Sequence, residues 1–211
     1  MSDISEQVNA VTRTVGSRTV ADGEARVVTL SRSYRTDLED LWDACTNIER
    51  IPRWFLPLTG ELKLGGHYQF EGHAGGTIER CDPPHGFDAT WEYGGDVSWI
   101  EVRLSAEPNG CSRFELQHVV SVDDERWAEF GPGAVGVGWD SGLLGLSWHL
   151  ETAPGAPNGP EAGAAWAGSE EGKRFMALSS ESWGAANLAA GADEAAVQEA
   201  VARTTAAYTG S

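Results

Sequence analysis

His118 is the residue of this sequence whose type and position point most directly to chemistry. It lies in the run FELQHVVSV, where alternation places it on the same face as Phe114, Leu116 and Val120. A neutral imidazole on an apolar face needs a hydrogen-bond partner for its N–H, and its near-neutral pKa would also allow proton transfer. Three interpretations stay open: a core histidine with an internal partner, a polar anchor for a ligand hydroxyl or carbonyl, or a general acid–base group.

Large aromatic side chains accompany this histidine at several points of the chain. The stretch LWDACTNIERIPRWF, residues 41–55, begins as an amphipathic helix and ends on Trp54 and Phe55. Two large rings at a helix end need a cover, which is either the core or the wall of a ligand cavity. In ATWEY, alternation puts Trp91 and Tyr93 on one face, and Tyr93 could donate a second hydrogen bond to a ligand.

Metal-binding and nucleophilic residues form no recognisable site in the sequence. The spacing of four candidates matches no zinc pattern: His67, His73, Cys81 and His85. There is no Gly-x-Ser-x-Gly elbow, no evident Cys–His–Asp arrangement and no evident carboxylate partner for His118. We therefore expect no metal and no cofactor. An enzymatic function is less favoured than binding, although a triad can assemble from residues that are distant in the sequence.

Two glycine-rich runs could in principle bind anions. GPGAVG, residues 131–136, fits G-x-G-x-x-G, but it follows the polar run ERWAEF instead of a buried strand. We interpret it as the lead into the last helix of the domain. GHAGG, residues 72–76, could hold an anion with its backbone N–H groups or form a hairpin tip, which could close over a cavity as a lid.

The elements that position these residues follow from hydrophobic periodicity. Residues 1–17 are polar and weakly patterned, which predicts a flexible segment. From residue 18 the order is strand, two short helices, and a series of short alternating strands with tight turns, the first of them at Asp22–Gly23. The run WDSGLLGLSWHL then forms a helix that is apolar on two sides, so the sheet should cover one side and the tail the other. A long helix gripped by a curved antiparallel sheet is an α+β architecture.

The chain after residue 150 is different in composition. TAPGAPNGPEAG reads as a linker, and two Ala-rich helices follow that we expect to pack on the domain. The predicted division is therefore a flexible segment over 1–17, one domain over 18–150, and a linker with a two-helix extension over 151–211.

Charge and cysteine content limit the partners and the compartment. The 211 residues carry a formal net charge of −17, which disfavours nucleic acid and anionic membranes. Three scattered cysteines, at positions 45, 81 and 111, make no disulfide framework. The N-terminus lacks a basic region followed by an apolar run, and no apolar stretch is long enough to span a bilayer. We expect a cytoplasmic protein without a signal peptide.

The order of these motifs resembles the START-like SRPBCC superfamily, in particular its bacterial homologues of the heat-shock-protein-90 ATPase activator. The resemblance covers about residues 25–150 and is carried by DLWDACTNIERIPRWF, LGGHYQF, GTIERCDPP with ATWEY, FELQH and GVGWDSGLLGL. The tail, with SSESWGAA and RTTAAYTG, resembles an extension of actinobacterial members. The resemblance implies a helix-grip fold, in which a curved antiparallel sheet wraps around a long C-terminal helix and leaves a cavity for an apolar or aromatic small molecule.

We therefore predict a protein that binds a small hydrophobic or aromatic ligand, held by apolar walls and oriented by a few polar groups. The predicted ligand-binding residues are Trp54, Phe55, Phe70, Trp91, Tyr93, His118, Trp139 and Leu143. A polyketide cyclase or aromatase is one alternative, and it needs a second titratable group facing the cavity. An ATPase-activating co-chaperone is another, and it needs an exposed protein-binding surface, which the tail would obstruct. The tail could cover the cavity, swap between subunits or form a homodimer.

Overall fold

A computed structural model of the protein describes residues 3–20, 23–121, 125–151 and 158–210. The strands are β1 (Thr12–Val20), β2 (Gly23–Tyr34), β3 (Leu58–Gly60), β4 (His67–Phe70), β5 (Gly75–Asp82), β6 (Gly86–Tyr93), β7 (Asp96–Glu107) and β8 (Cys111–Ser121). The helices are α1 (Ile4–Asn9), α2 (Leu38–Thr46), α3 (Glu125–Phe130), α4 (Gly133–Glu151), α5 (Pro160–Ala167), α6 (Glu170–Ala189) and α7 (Glu194–Thr209). A short 3-10 helix follows α2 at Ile51–Arg53.

All of these strands join one antiparallel sheet in the order β1-β2-β8-β7-β6-β5-β4-β3. The register places His118 of β8 between Val28 of β2 and Ile100 of β7. On the next pair of strands, Trp91 of β6 lies opposite Ser98 of β7. Pairing therefore brings the predicted site residues of β6 and β8 close to one another. The predicted α+β helix-grip fold is confirmed.

Helix α4 is the long helix that the sheet grips, and it is buried on two sides. Leu143, Leu144 and Leu146 are each at most 3% exposed, and the helix packs on β2 and on α6. On the side away from the sheet, Trp148 packs edge-on against Trp166 of α5, with ring centroids 4.9 Å apart. The tail is therefore the second cover that a helix apolar on two sides requires.

The N-terminal segment differs from the prediction of a flexible stretch over residues 1–17. Residues 4–9 form α1, and β1 begins at Thr12. Ile4, Val8 and Val11 are all buried in the main core, and α1 packs on α6. These few apolar residues make a weak periodic pattern, but each one is buried. The edge strand β1 obtains its backbone hydrogen bonds from β2.

The tail contains one more helix than predicted. Residues 152–157 of the predicted linker lie outside the described residues, as does part of the Asp22–Gly23 turn. The rest of the linker opens α5 at Pro160, which suits the first helical position because its φ angle is already helical. Both predicted Ala-rich helices do pack on the domain, α6 against α4 and β1, and α7 against α3 and α4.

Asp140 of α4 joins the tail to the core. Its side chain is fully buried, and its Oδ2 accepts hydrogen bonds from Arg13 Nε of β1 at 2.9 Å and from Trp183 Nε1 of α6 at 3.1 Å. Ser179 Oγ of α6 donates to the same oxygen. A buried carboxylate is tolerated when it is paired and hydrogen-bonded in this way. The network fixes β1, α4 and α6 relative to one another.

Candidate functional site

A cavity of about 1150 Å³ lies beside helix α4. Its walls come from the segment after the 3-10 helix, the β6–β7 hairpin, the end of β8, one face of α4, and the tail. Sites for drug-sized ligands usually enclose about 300–1,000 Å³, so this cavity has room for more than a single ring. The predicted site residues that line it are Trp54, Phe55, Trp91, Tyr93, His118 and Trp139.

Phe70 and Leu143, which were predicted to bind ligand, do not line the cavity. The Phe70 ring packs behind the wall, 5.0 Å from Phe55 and 5.8 Å from Trp91. Leu143 is 3% exposed in the core, and its carbonyl accepts a hydrogen bond from the Tyr34 hydroxyl at 3.0 Å. Periodicity identifies an inward-facing residue, but it does not separate the part of that face which meets packed side chains from the part which meets open space.

Trp139 of α4 is the centre of an aromatic cluster at one end of the cavity. Its ring centroid lies 6.1 Å from that of Phe55, with the two planes within 7° of parallel, and 4.8 Å from that of Trp91. Aromatic pairs at such distances add about 0.5–1.5 kcal/mol each beyond the area they bury. Phe55, Trp91 and Trp139, which we call the aromatic end, therefore form a rigid apolar wall.

Both ring nitrogens of His118 are hydrogen-bonded within the protein. Trp139 Nε1 donates to Nδ1 at 2.9 Å, so Nδ1 is the acceptor and the ring proton lies on Nε2. Nε2 lies 2.8 Å from Ser98 Oγ, which donates to the Trp91 carbonyl at 3.0 Å. Burial, together with the positive charge of Arg126, lowers the pKa of His118 to about 3. At neutral pH His118 is an uncharged residue that positions the rings of Trp139 and Trp91.

Glycines of α4 allow Trp54 and Phe55 to approach the helix closely. A Cβ atom at Gly145 would overlap the carbonyl oxygen of Trp54, and a Cβ atom at Gly142 would lie 3.3 Å from the Phe55 ring. Trp54 Nε1 donates to the Ala44 carbonyl of α2 at 3.0 Å. The two rings therefore close the core and line the cavity at the same time, and the indole N–H of Trp54 is already used.

Gly145→Ala is expected to lower the free energy of unfolding by about 1–3 kcal/mol, because the backbone at Trp54 must move away from α4. Urea denaturation measures the change. Gly163→Ala on α5 is the matched control, since no heavy atom lies within 4 Å of a Cβ atom there. It should stabilise the protein by up to about 1 kcal/mol through helix propensity. Equal changes in the two variants would contradict the close contact between Trp54 and α4.

The cavity has a polar mouth, which we define as His73, Tyr93, Asp96 and Arg126. His73 belongs to the glycine-rich run between β4 and β5, and its ring stacks on Tyr93 at 5.1 Å, while burial lowers its pKa. Arg126 and Asp96 form an ion pair at 2.6 Å. Tyr93, which alternation predicted to face inward, is 46% exposed because β6 ends there, although it still lines the cavity.

Several lining residues were missed from the sequence. Ser98 comes from the strand paired with Trp91, and Trp166, Met176 and Tyr208 come from the tail. Trp166 carried a detectable signal, since it is a lone large ring in a run of glycine and alanine. Met176 and Tyr208 had no such signal, because they occupy helical stripes that are also typical of a packed core.

Other kinds of site are not found in the described part of the chain. Within residues 3–20, 23–121, 125–151 and 158–210, no group of three or more His, Cys, Asp and Glu side chains is placed to hold a metal ion. None of the helices given above is both long and apolar enough to cross a membrane. The thiol of Cys45 is free and buried, and burial raises its pKa to about 12, so it is not a nucleophile at neutral pH.

The sequence matches one protein family over more than half of its length. The family model described as "Activator of Hsp90 ATPase homolog 1-like protein" matches residues 35–151. The chain belongs to this family, as its resemblance to the START-like SRPBCC proteins predicted. No curated protein matches the sequence.

Solved structures extend the likeness beyond the family match. The crystal structure of CalU16 from Micromonospora echinospora has a TM-score of 0.68 and 32% identity, covering 87% of this chain and 99% of that chain. Its solution NMR structure has a TM-score of 0.68 and 33% identity, covering 86% of this chain and 97% of that chain. Coverage of this extent includes part of the tail. DynU16, described as a protein in the dynemicin biosynthetic locus, shares the fold alone, with a TM-score of 0.52, 16% identity, and coverage of 60% of this chain and 47% of that chain.

Proposed function

We propose that the protein binds a small aromatic or apolar molecule in the cavity beside α4. The observation that carries the proposal is the aromatic end, where Phe55, Trp91 and Trp139 form a rigid wall of a cavity of about 1150 Å³. Concave apolar sites with few polar groups are typical of small-molecule binding. Each square ångström of apolar surface that a ligand and this wall bury together contributes about 25 cal/mol.

Orientation of the ligand comes from the polar mouth rather than from His118. The two ring nitrogens of His118 are occupied by Trp139 and Ser98, and a ligand would have to displace one of them. Tyr93 lines the cavity, and its hydroxyl has no hydrogen-bond partner among the described residues. A ligand hydroxyl or carbonyl can therefore bind Tyr93 without breaking an internal bond.

Proton transfer by His118, which a polyketide cyclase or aromatase would require, is less favoured than binding. A pKa of about 3 leaves the ring a weak base at neutral pH, and its hydrogen-bond partners are a serine and a tryptophan instead of a carboxylate. If no ligand is found, an ATPase-activating interaction with a chaperone becomes the favoured function.

We further propose that the protein acts in the cytoplasm with a small molecule as its partner. The free cysteines at positions 45, 81 and 111 fit a reducing compartment. A net charge of −17 disfavours nucleic acid and anionic membrane surfaces. All of the cavity walls described above come from one chain, so the proposal requires no second copy.

A thermal-shift screen with aromatic polyketides, flavonoids, sterols and fatty acids tests the proposal. A ligand at a hundred times its dissociation constant adds about 2.7 kcal/mol of stability, which should raise the melting temperature by about 5–11 °C. The shift should be lost in Phe55→Ala at the aromatic end and retained in Trp99→Ala, whose ring packs against a separate cluster on the other side of the sheet. No shift with any compound would overturn the proposal and direct the search to protein partners by pulldown.

A further inference from the structure

We propose that two copies of the chain associate through the free edge of strand β1, which pairs antiparallel with itself about a two-fold axis at Gly16. This interaction surface is separate from the cavity and from the proposed function. It follows from the length and regularity of the edge, from the ion pairs that hold its charged side chains, and from the position of its glycine.

The two edge strands of the sheet differ in length. One of them, β3, has three residues, and an edge this short offers little to a partner strand. The other, β1, has nine residues and pairs with β2 without any shift in register. About half of its backbone N–H and C=O groups point away from β2. None of them bonds to a further element in the part of the chain that the structure describes, so β1 can accept another strand.

Strand β1 lacks the features that usually protect an edge. Natural sheets protect their edges with proline, with bulges, or with charged side chains that project from the strand. The segment TRTVGSRTV contains no proline, and its pairing with β2 contains no bulge. Its two arginines are held by carboxylates of their own chain, Arg13 by Asp140 and Arg18 by Glu101 of β7. The edge is therefore left without an unpaired charge.

Gly16 lies at the midpoint of β1, where the subunit itself does not require glycine. Its φ angle is not positive, and a Cβ atom built on it would meet no heavy atom within 4 Å. Glycine inside a strand weakens it, and often marks either a bulge or the close approach of another backbone. Since β1 has no bulge, the missing side chain suits the approach of a second backbone.

A second copy of β1 is the partner that complements this edge. With the two-fold axis at Gly16, the two strands overlap over their full length. Arg13 then faces Thr19 of the second copy, and Arg18 faces Thr14. Like charges opposite each other destabilise a strand pair, and this register has none. The segment also contains no Asp or Glu, although the chain carries a net charge of −17, so two copies repel each other least at this edge.

Sedimentation velocity tests the association. A contact made by one pair of strands is smaller than the roughly 1,200–2,000 Å² that stable complexes bury, so the wild type should dimerise with a micromolar dissociation constant. Gly16→Lys should weaken the dimer about tenfold or more, because it places two ammonium groups opposite each other at the axis. Ser105→Lys is the matched control, exposed on the interior strand β7, and should leave the dimer unchanged. Gly16→Lys should melt at or above the wild-type temperature, since the new side chain enters open space.

Cysteine cross-linking tests the position of the axis. In Gly16→Cys the two Cα atoms would lie about 4.5–5.5 Å apart, which is within the range of a disulfide. This variant should form a covalent dimer with oxidised glutathione. Thr12→Cys, on the same face of β1, should not, because its two copies would lie eight positions apart, or about 26 Å. The wild type measures the background from the native cysteines.

A dimer that is weakened in Gly16→Lys alone and cross-linked at residue 16 alone would support the proposal. A wild type that stays monomeric at every concentration would overturn it, and an extended segment of another protein would then be the better candidate for this edge. A dimer that Gly16→Lys leaves unchanged, or equal cross-linking at residues 12 and 16, would also overturn it and place the contact elsewhere. None of these results depends on a ligand, so the proposed function is tested separately.

Discussion

Asp140→Ala is expected to lower the free energy of unfolding by about 3–5 kcal/mol, the usual cost of breaking a buried ion pair from one side. The side chain of Arg13 is only 6% exposed, and its guanidinium would lose its counterion. Ser179 and Trp183 of α6 would lose their common acceptor. Urea denaturation followed by circular dichroism measures the loss. Because α6 carries Met176 and supports α5, ligand affinity should fall as well.

The double variant Arg13→Met/Asp140→Leu separates the cost of an unpaired charge from the cost of lost packing. It should recover a large part of the stability, since apolar residues often replace a buried ion pair at little cost. Among the described residues, Asp140 Oδ1 and Arg13 Nη2 have no hydrogen-bond partner, so the pair is not fully compensated in the wild type. A single variant that loses less than about 1 kcal/mol would contradict the anchoring role of Asp140. A double variant no more stable than the single one would show that lost packing and hydrogen bonds, and not the unpaired charge of Arg13, account for the loss.

The second large effect is a loss of stability in acid that originates at His118. Burial lowers its pKa from 6.5 to about 3 in the folded protein, so below pH 6.5 the unfolded chain binds a proton that the native protein does not. Its contribution to stability is complete above pH 6.5 and falls as the pH drops toward 3, by about 1.4 kcal/mol per pH unit. The total loss from this group is on the order of 5 kcal/mol.

His118→Gln removes the titration and retains an amide that can accept from Trp139 and donate to Ser98. Other groups titrate in both proteins, so the informative quantity is the difference in unfolding free energy between wild type and variant from pH 7 to pH 4. The wild type should lose stability relative to the variant as the pH falls below about 6.5. Parallel profiles for the two proteins would contradict the buried, neutral state of His118.

Hydrophobic periodicity correctly predicted those features that depend on which side chains of a single helix or strand face the core. Alternation correctly directed Trp91 and His118 inward, and the two-sided apolar pattern of α4 required the tail as a second cover. The hydrogen-bond partners of His118 were not predictable in this way. Ser98 and Trp139 lie on separate elements, and only the strand register and the packing of α4 bring them to its two nitrogens.

The remaining differences between the predictions from sequence and the structure have a common physical origin. Phe70 and Leu143 face inward as predicted, but the sizes of all neighbouring side chains decide whether an inward residue meets a cavity or another side chain. Helix α1 is stabilised by a small number of buried contacts, which are too few to make a strong periodic pattern. Helix α5 reads as a linker because it consists mostly of small residues and proline, and its position is fixed by Trp166.

The central claim is that the cavity beside α4 holds a small aromatic ligand at its aromatic end. The most direct measurement follows the indole N–H signals of nitrogen-15-labelled protein during a titration with an aromatic compound that raises the melting temperature in the thermal-shift screen. We expect a shift for Trp139, which lines the cavity, and none for Trp99 and Trp183, which lie outside it. An unchanged Trp139 signal at saturating ligand, or shifts confined to Trp99 and Trp183, would contradict the claim.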